Sequence, residues 1–342
     1  MESFKIKLIK NFIIIIIFYS FFKTEGHFVY AQKTYEKIPN IIIITLSGVR
    51  NEESIKDPTH QYIPNLWNKM FKEGVLYANL VNLNLQFHMP QVNAINTGKT
   101  HYFMYDKIYF PTIFQYIRKK YNLPADKLWL IGNWYLEQIG YAIDGYDPNT
   151  YPLSISTDFL TSQEFNKVFT KQELIFLDLY RNYLRENFFS SPQWSGRENI
   201  SFCFLKKIMR KFKPKLIHYV MGAVECAHYD TFSQYVLSLK RCDEMIFEIW
   251  NFIKTDPFYK DNTYLIVCVD HERNLYYMNH NEDTFDNSSR VWMYIYGPDI
   301  KKGVVIKRKI KHVDIFSTVA YLMNIETSAS EGEVLKDCFL HK

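Results

Sequence analysis

The stretch NIIIITLSGVR, Asn40–Arg50, decides the fold. Four consecutive isoleucines follow Asn40 with no alternation of apolar and polar positions, so both faces of this strand are read as buried. A strand buried on both faces belongs in the middle of a parallel sheet covered by helices. The chain then turns at Ser47-Gly48. A polar residue there stands at the carboxyl edge of the sheet, where open α/β folds bind their ligands.

Outward from this strand, apolar runs alternate with helical patterns. IPNLWNKMFKEG (63–74) reads as an amphipathic helix and VLYANLVN (75–82) as a strand. PQVNAINTG (90–98) reads as a short helix with Pro90 in its first turn and Gly98 closing it. PTIFQYIRKKYN is a further helix and KLWLIGNW a further strand. LIHYVMGA, TYLIVCVD and RVWMYIYGPD read as strands, with a long helix over 231–255 and a last one in VDIFSTVAYLMN. The alternation predicts an α/β domain over 32–342, with a mostly parallel central sheet and helices on both faces. Residues 135–215 break the rhythm with a Tyr/Pro/Asn-rich loop and charged helical patterns. They are read as a helical insertion or cap against the sheet, with the Lys/Arg run at 206–215 as a solvated helix face.

The N-terminus reads as a targeting segment. Lys5, Lys7 and Lys10 precede the apolar NFIIIIIFYSFF, which is short for a membrane span. Val29 and Ala31 take the small-residue positions of a cleavage site, so residues 1–31 are expected to be a signal peptide removed after Ala31. An uncleaved anchor is the alternative. Cleavage implies an extracellular or periplasmic protein without a stable membrane span. The formal charge of +5 is only mildly basic and indicates no nucleic-acid partner. A 47% hydrophobic, 17% aromatic composition supports a packed core and argues against disorder. The five cysteines show no C-x-x-C pairing, so no zinc-knuckle framework is indicated, and an odd number leaves a free thiol or an intermolecular bond.

Polar residues suited to chemistry follow the strands. VCVDHERN places Asp270 and His271 directly after one, and GAVECAHYD places Glu225 and His228 just after another. YYMNHNEDTFDNSSR holds His280 before a strand. Ser47 ends the first strand, and His88 stands just before the Pro90 helix. Singly, each has a structural explanation, as a turn, a cap or a hydrogen-bonded surface group. Together they supply the imidazoles and carboxylates that zinc prefers.

The order of NIIIITLSGVR, the Pro90–Gly98 helix, ECAHYDTFSQY, YKDNTYLIVCVDHER and SRVWMYIYGPDIKKG resembles the alkaline phosphatase superfamily, which includes phosphodiesterases and sulfatases. The resemblance covers most of 38–335 apart from the insertion. It implies one or two Zn2+ ions, or another divalent metal, acting on a small anionic ester. One metal would be held by Glu225, His228 and His280. The other would be held by Asp270, His271, the acid ending the first strand and the nucleophile. The chain departs at the last two positions, where Ser47 and His88 stand. His88 is then a metal ligand that leaves water to attack, or a nucleophile, or a hydrogen-bonding residue in a site that has lost turnover. Its place before a helix start favours an anion nearby. Asn93, Lys99 and Asn133 are further candidate donors, each as readily a structural residue, and His312 reads as a helix-entry residue. Two functions follow: an exported metal-dependent hydrolase of phosphate or sulfate esters, or a catalytically inactive relative binding a metal, an anionic ligand or a partner.

Overall fold

In the computed structural model the described residues are 38–82, 88–100, 110–132, 153–156, 169–175, 179, 191–225, 231–273, 290–327 and 330–341. The targeting segment read over 1–31 lies outside them. Ile38–Lys342 cluster as one unit.

The isoleucine strand, β1 (Asn40–Leu46), lies between β5 (Leu216–Met221) and β6 (Thr263–Val269) and pairs with both in parallel. Ile41 to Ile44 are buried on either face, as their unbroken apolar run requires. Beyond β5 come β3 (Leu128–Gly132) and β4 (Leu153–Ser156), both parallel. Beyond β6 comes β7 (Arg290–Tyr296), which runs antiparallel to β6 and to β2 (Val75–Val81). Two short strands, β8 (Val304–Ile306) and β9 (Ile310–Lys311), pair with β2 in parallel. The sheet is therefore mostly parallel, with β7 the one reversed strand among the described residues.

Side-chain hydrogen bonds show which helix covers which face. Thr45 and His218, partners one strand apart, point to the face covered by α1 (His88–Thr97): the His218 ring bonds Thr45 Oγ1 at 2.8 Å and Asn96 Oδ1 at 2.9 Å. Tyr219 points the other way and donates to Glu198 of α3 (Ser191–Phe212). α2 (Ile113–Tyr121) and α5 (His312–Leu322) pack with α1, and α4 (Phe232–Thr255) packs with α3. Helices thus flank the sheet on both faces.

Two features differ in detail from the sequence reading. Within the stretch read as an insertion, β4 extends the sheet and α3 leads directly into β5. The Lys/Arg run is only partly solvated. Arg210, Lys211 and Lys213 are exposed, whereas Lys206 and Lys207 pair with Glu248 and Glu173. Lys215 is buried, with its ammonium donating to Ile38 O at 2.8 Å and Asn40 Oδ1 at 3.0 Å, so it ties the start of β1 to the start of β5.

Burial holds the His218 imidazole neutral, pulling its pKa from 6.5 to about 3. An unfolded chain takes up the proton that the folded ring refuses, so stability is complete above about 6.5 and falls as pH drops toward 3. In urea titrations at pH 7 and pH 4, His218→Gln should lose less of its unfolding midpoint on acidification than the wild type does. An equal loss refutes this assignment.

Candidate metal centre

The register of the three central strands builds the site. Leu46 is level with Met221 on one side and Val269 on the other, so Ser47, Gly222 and Asp270 leave the sheet side by side. Backbone bonds hold the level: Ser47 N donates to Met221 O at 3.2 Å and Asp270 N to Leu46 O at 3.1 Å. Asp270 turns back over this edge, accepting from Gly48 N at 2.9 Å and His271 N at 2.7 Å through Oδ1. Asn82, just past β2, donates to the Asp270 carbonyl at 3.1 Å.

His88 arrives from the first turn of α1, which begins two residues earlier than Pro90 suggests. Its Nδ1 is 2.6 Å from the second Asp270 oxygen and 3.1 Å from His271 Nε2. One donor atom from each of His88, Asp270 and His271 lies within 4.8 Å of the others. Two imidazole nitrogens and a carboxylate oxygen are a donor set that zinc accepts, so these residues fit a single divalent cation. The His271 ring is already oriented, because its Nδ1 donates to Glu272 O at 2.9 Å and its Nε2 lone pair faces the cluster.

His88 also faces Glu225, whose Oε1 is 2.9 Å from Nε2. Burial opposes a charge on His88, yet the Glu225 and Asp270 carboxylates outweigh it and push the imidazole up to about 10. Burial likewise opposes ionising Asp270, and the neighbouring His271 and His88 rings carry it down to about 2. Without a metal, His88 is therefore an imidazolium between two carboxylates. A cation at this cluster competes with the proton on Nδ1 for the same lone pair.

The other Glu225 oxygen is 2.9 Å from Arg273 Nη2. Arg273 is fully buried and also donates to Gly48 O at 2.6 Å and Val224 O at 2.8 Å, locking the β1 turn to the turn after β5. From the α3 face, Glu198 accepts from Gly222 N at 2.8 Å and Ala223 N at 3.0 Å, shaping the turn that presents Glu225. Burial raises the Glu198 carboxyl to about 7.

Among the sequence candidates, the structure brings together His88, Asp270, His271 and Glu225. Ser47 is buried at the end of β1 beside them. His312 stands at the start of α5 and bonds Val269 O at 2.9 Å, a helix-entry role just behind Asp270. Lys99 lies 3.5 Å from Glu331 and against the Phe110 ring, and Asn93 is buried within α1. Asn133, His228 and His280 lie outside the described residues. Arg273 and Glu198 were not singled out in the sequence. Arg273 had a visible signal, a cation three residues past a strand-end acid, whereas Glu198 sits in an ordinary charged helix.

No protein-family model matches the sequence, and no curated protein sequence does. Solved structures do match. A protein in the alkaline phosphatase superfamily from Vibrio parahaemolyticus aligns with a TM-score of 0.58 at 14% identity, over 88% of this chain and 70% of that one. The fold is that of the alkaline phosphatase superfamily. The PsFucS1 sulfatase from Pseudoalteromonas sp. aligns with a TM-score of 0.57 at 14% identity over 84% and 68% of the two chains. Murine ectonucleotide pyrophosphatase / phosphodiesterase 5 aligns with a TM-score of 0.53 at 13% identity over 88% and 100%. At such identities the alkaline-phosphatase likeness carries the fold, and the local chemistry rests on the geometry above.

Gly48 is fixed by two independent demands. Its φ is +67°, and a Cβ there would overlap Glu225 Oε2 and come within 2.9 Å of Arg273 Nε. Gly48→Ala should destabilise the fold by roughly 1–3 kcal/mol in urea unfolding. An unchanged midpoint would show that the turn is not held as described.

Proposed function

We propose that this protein is an exported, metal-dependent hydrolase of phosphate or sulfate esters with one divalent cation, zinc by donor type, held by His88, Asp270 and His271. The observation that carries this reading is the convergence of those three donors at the carboxyl edge of the sheet, beside the start of a helix. When bound, the cation supplies Lewis-acid stabilisation of the ester anion and of charge developing on the leaving oxygen. The chain's residues supply the setting. Asp270 is kept ionised by backbone donors and imidazoles. His271 keeps a lone pair directed into the cluster. The first turn of α1 turns the positive end of its dipole toward an anion next to His88. Ser47 takes the position where the family resemblance implies an acid, so that side of the site carries less negative charge.

Support for the substrate class comes from likeness. The fold neighbours include a sulfatase and a phosphodiesterase by name. Export rests on the sequence pattern of residues 1–31. Among the described residues no helix is long and apolar enough to cross a membrane.

A second reading, a catalytically inactive relative that binds a ligand or partner through the same cleft, is favoured by one observation. The His88 imidazolium and the Arg273 guanidinium together already balance Asp270 and Glu225 without any metal.

Metal content and turnover separate the two. The first reading expects about one zinc per purified chain, together with hydrolysis of p-nitrophenyl phosphate, bis-p-nitrophenyl phosphate or p-nitrophenyl sulfate. Asp270→Asn, His271→Ala and His88→Ala should each remove zinc and turnover, and Ser47→Asp should tighten zinc binding. A chain that binds no zinc and turns over none of these esters sinks the hydrolase reading.

A further inference from the structure

We infer that Glu225 is not a metal ligand but a positioning residue, the carboxylate that orients His88 toward the cation, and that Arg273 holds it in that role. The inference rests on the one-cation reading above. Each imidazole that ligates a metal through one nitrogen needs an acceptor for the N–H of the other, which fixes its tautomer and ring plane. His271 has that acceptor in its own loop, Glu272 O at 2.9 Å from Nδ1. The His88 ring is placed the other way round. Nδ1 faces Asp270 and His271, and Nε2 faces Glu225 Oε1 at 2.9 Å. No metal is needed to see the order: acid, imidazole, cluster.

The second Glu225 oxygen is committed to a fixed cation. Arg273 Nη2 is 2.9 Å away, with both groups buried, and the same guanidinium is anchored on two backbone carbonyls from two different turns. An arginine stays protonated at any working pH, and its fork holds a carboxylate in one plane. With Oε2 held by Arg273, only Oε1 is left to the carboxylate, and that oxygen already faces His88 Nε2. The carboxylate is therefore spent on orientation: Arg273 fixes Glu225, Glu225 Oε1 pairs with the Nε2 side of His88, and His88 presents Nδ1 to the cluster. Glu225 touches neither substrate nor cation in this scheme.

The test is zinc titration against a chromophoric chelator, reading stoichiometry and affinity separately, on the full chain and on Glu225→Gln, Glu225→Ala and Arg273→Met. The wild type should bind one zinc. Glu225→Ala and Arg273→Met should still bind one, weakened by roughly 10–100-fold. Glu225→Gln, which keeps an acceptor oxygen and the same shape, should recover most of that loss and serves where the alanine variant folds poorly. In the zinc-loaded wild type, long-range 1H–15N spectra should show the His88 ring protonated on Nε2, and Glu225→Ala should broaden or lose that signal. Two zincs in the wild type falling to one in Glu225→Ala would make Glu225 a ligand and overturn the inference. One zinc with unchanged affinity in Glu225→Ala overturns it too, while leaving the one-cation reading intact. A wild type that binds no zinc overturns that reading, and this inference with it.

Discussion

Everything at the sheet edge depends on a single buried carboxylate. Asp270 follows β6, is closed off from solvent, and stays charged because two backbone N–H groups and two imidazoles surround it. An ionised group so placed costs several kcal/mol unless its partners are rigidly supplied. The partners come from three different segments: the β1 turn, the residue after Asp270 itself, and the first turn of α1. The strand register is what puts them there. Shifting β6 against β1 by one residue would turn Asp270 to the opposite face and strand its donors.

Charge balance around that carboxylate is the second constraint on the site. Glu225 and Asp270 are negative, and His88 and Arg273 are positive and interleaved with them. The cluster is electrically closed as the protein folds. Arg273 also bridges the two turns that bring the acids together, so the counter-charge is structural. With Ser47 rather than an acid at the end of β1, less negative charge has to be offset at this edge.

Much of the architecture was readable from the chain. The uninterrupted isoleucine run identified β1 as central, and Asp270, His271 and Glu225, read as strand-end residues, do lie together at the sheet edge. These are readings of period and position, which sequence carries directly. The hidden part depends on where side chains end up. Nothing in a charged helix distinguishes Glu198 from its neighbours, since its role arises when α3 lies over the turn after β5. Lys215 sits in a basic run that reads as surface, and only the parallel pairing of β5 with β1 makes it a buried clasp. Arg273 looked like a loop residue because its partners, Gly48 and Val224, are more than 40 positions away in sequence. The strand β4 escaped notice because four residues in a polar context carry too little periodicity.

The distances along the chain have a consequence for how the protein is made. His88 and Asp270 are 182 residues apart, and Arg273 and Gly48 are 225 apart. Such contacts close only after the β5-β1-β6 core has assembled, and chains dominated by remote pairings fold slowly. The cluster is thus a late product of folding and offers an ion nothing to nucleate upon. A bound ion would act afterwards, as a latch that retards opening of a finished molecule and leaves its assembly rate untouched.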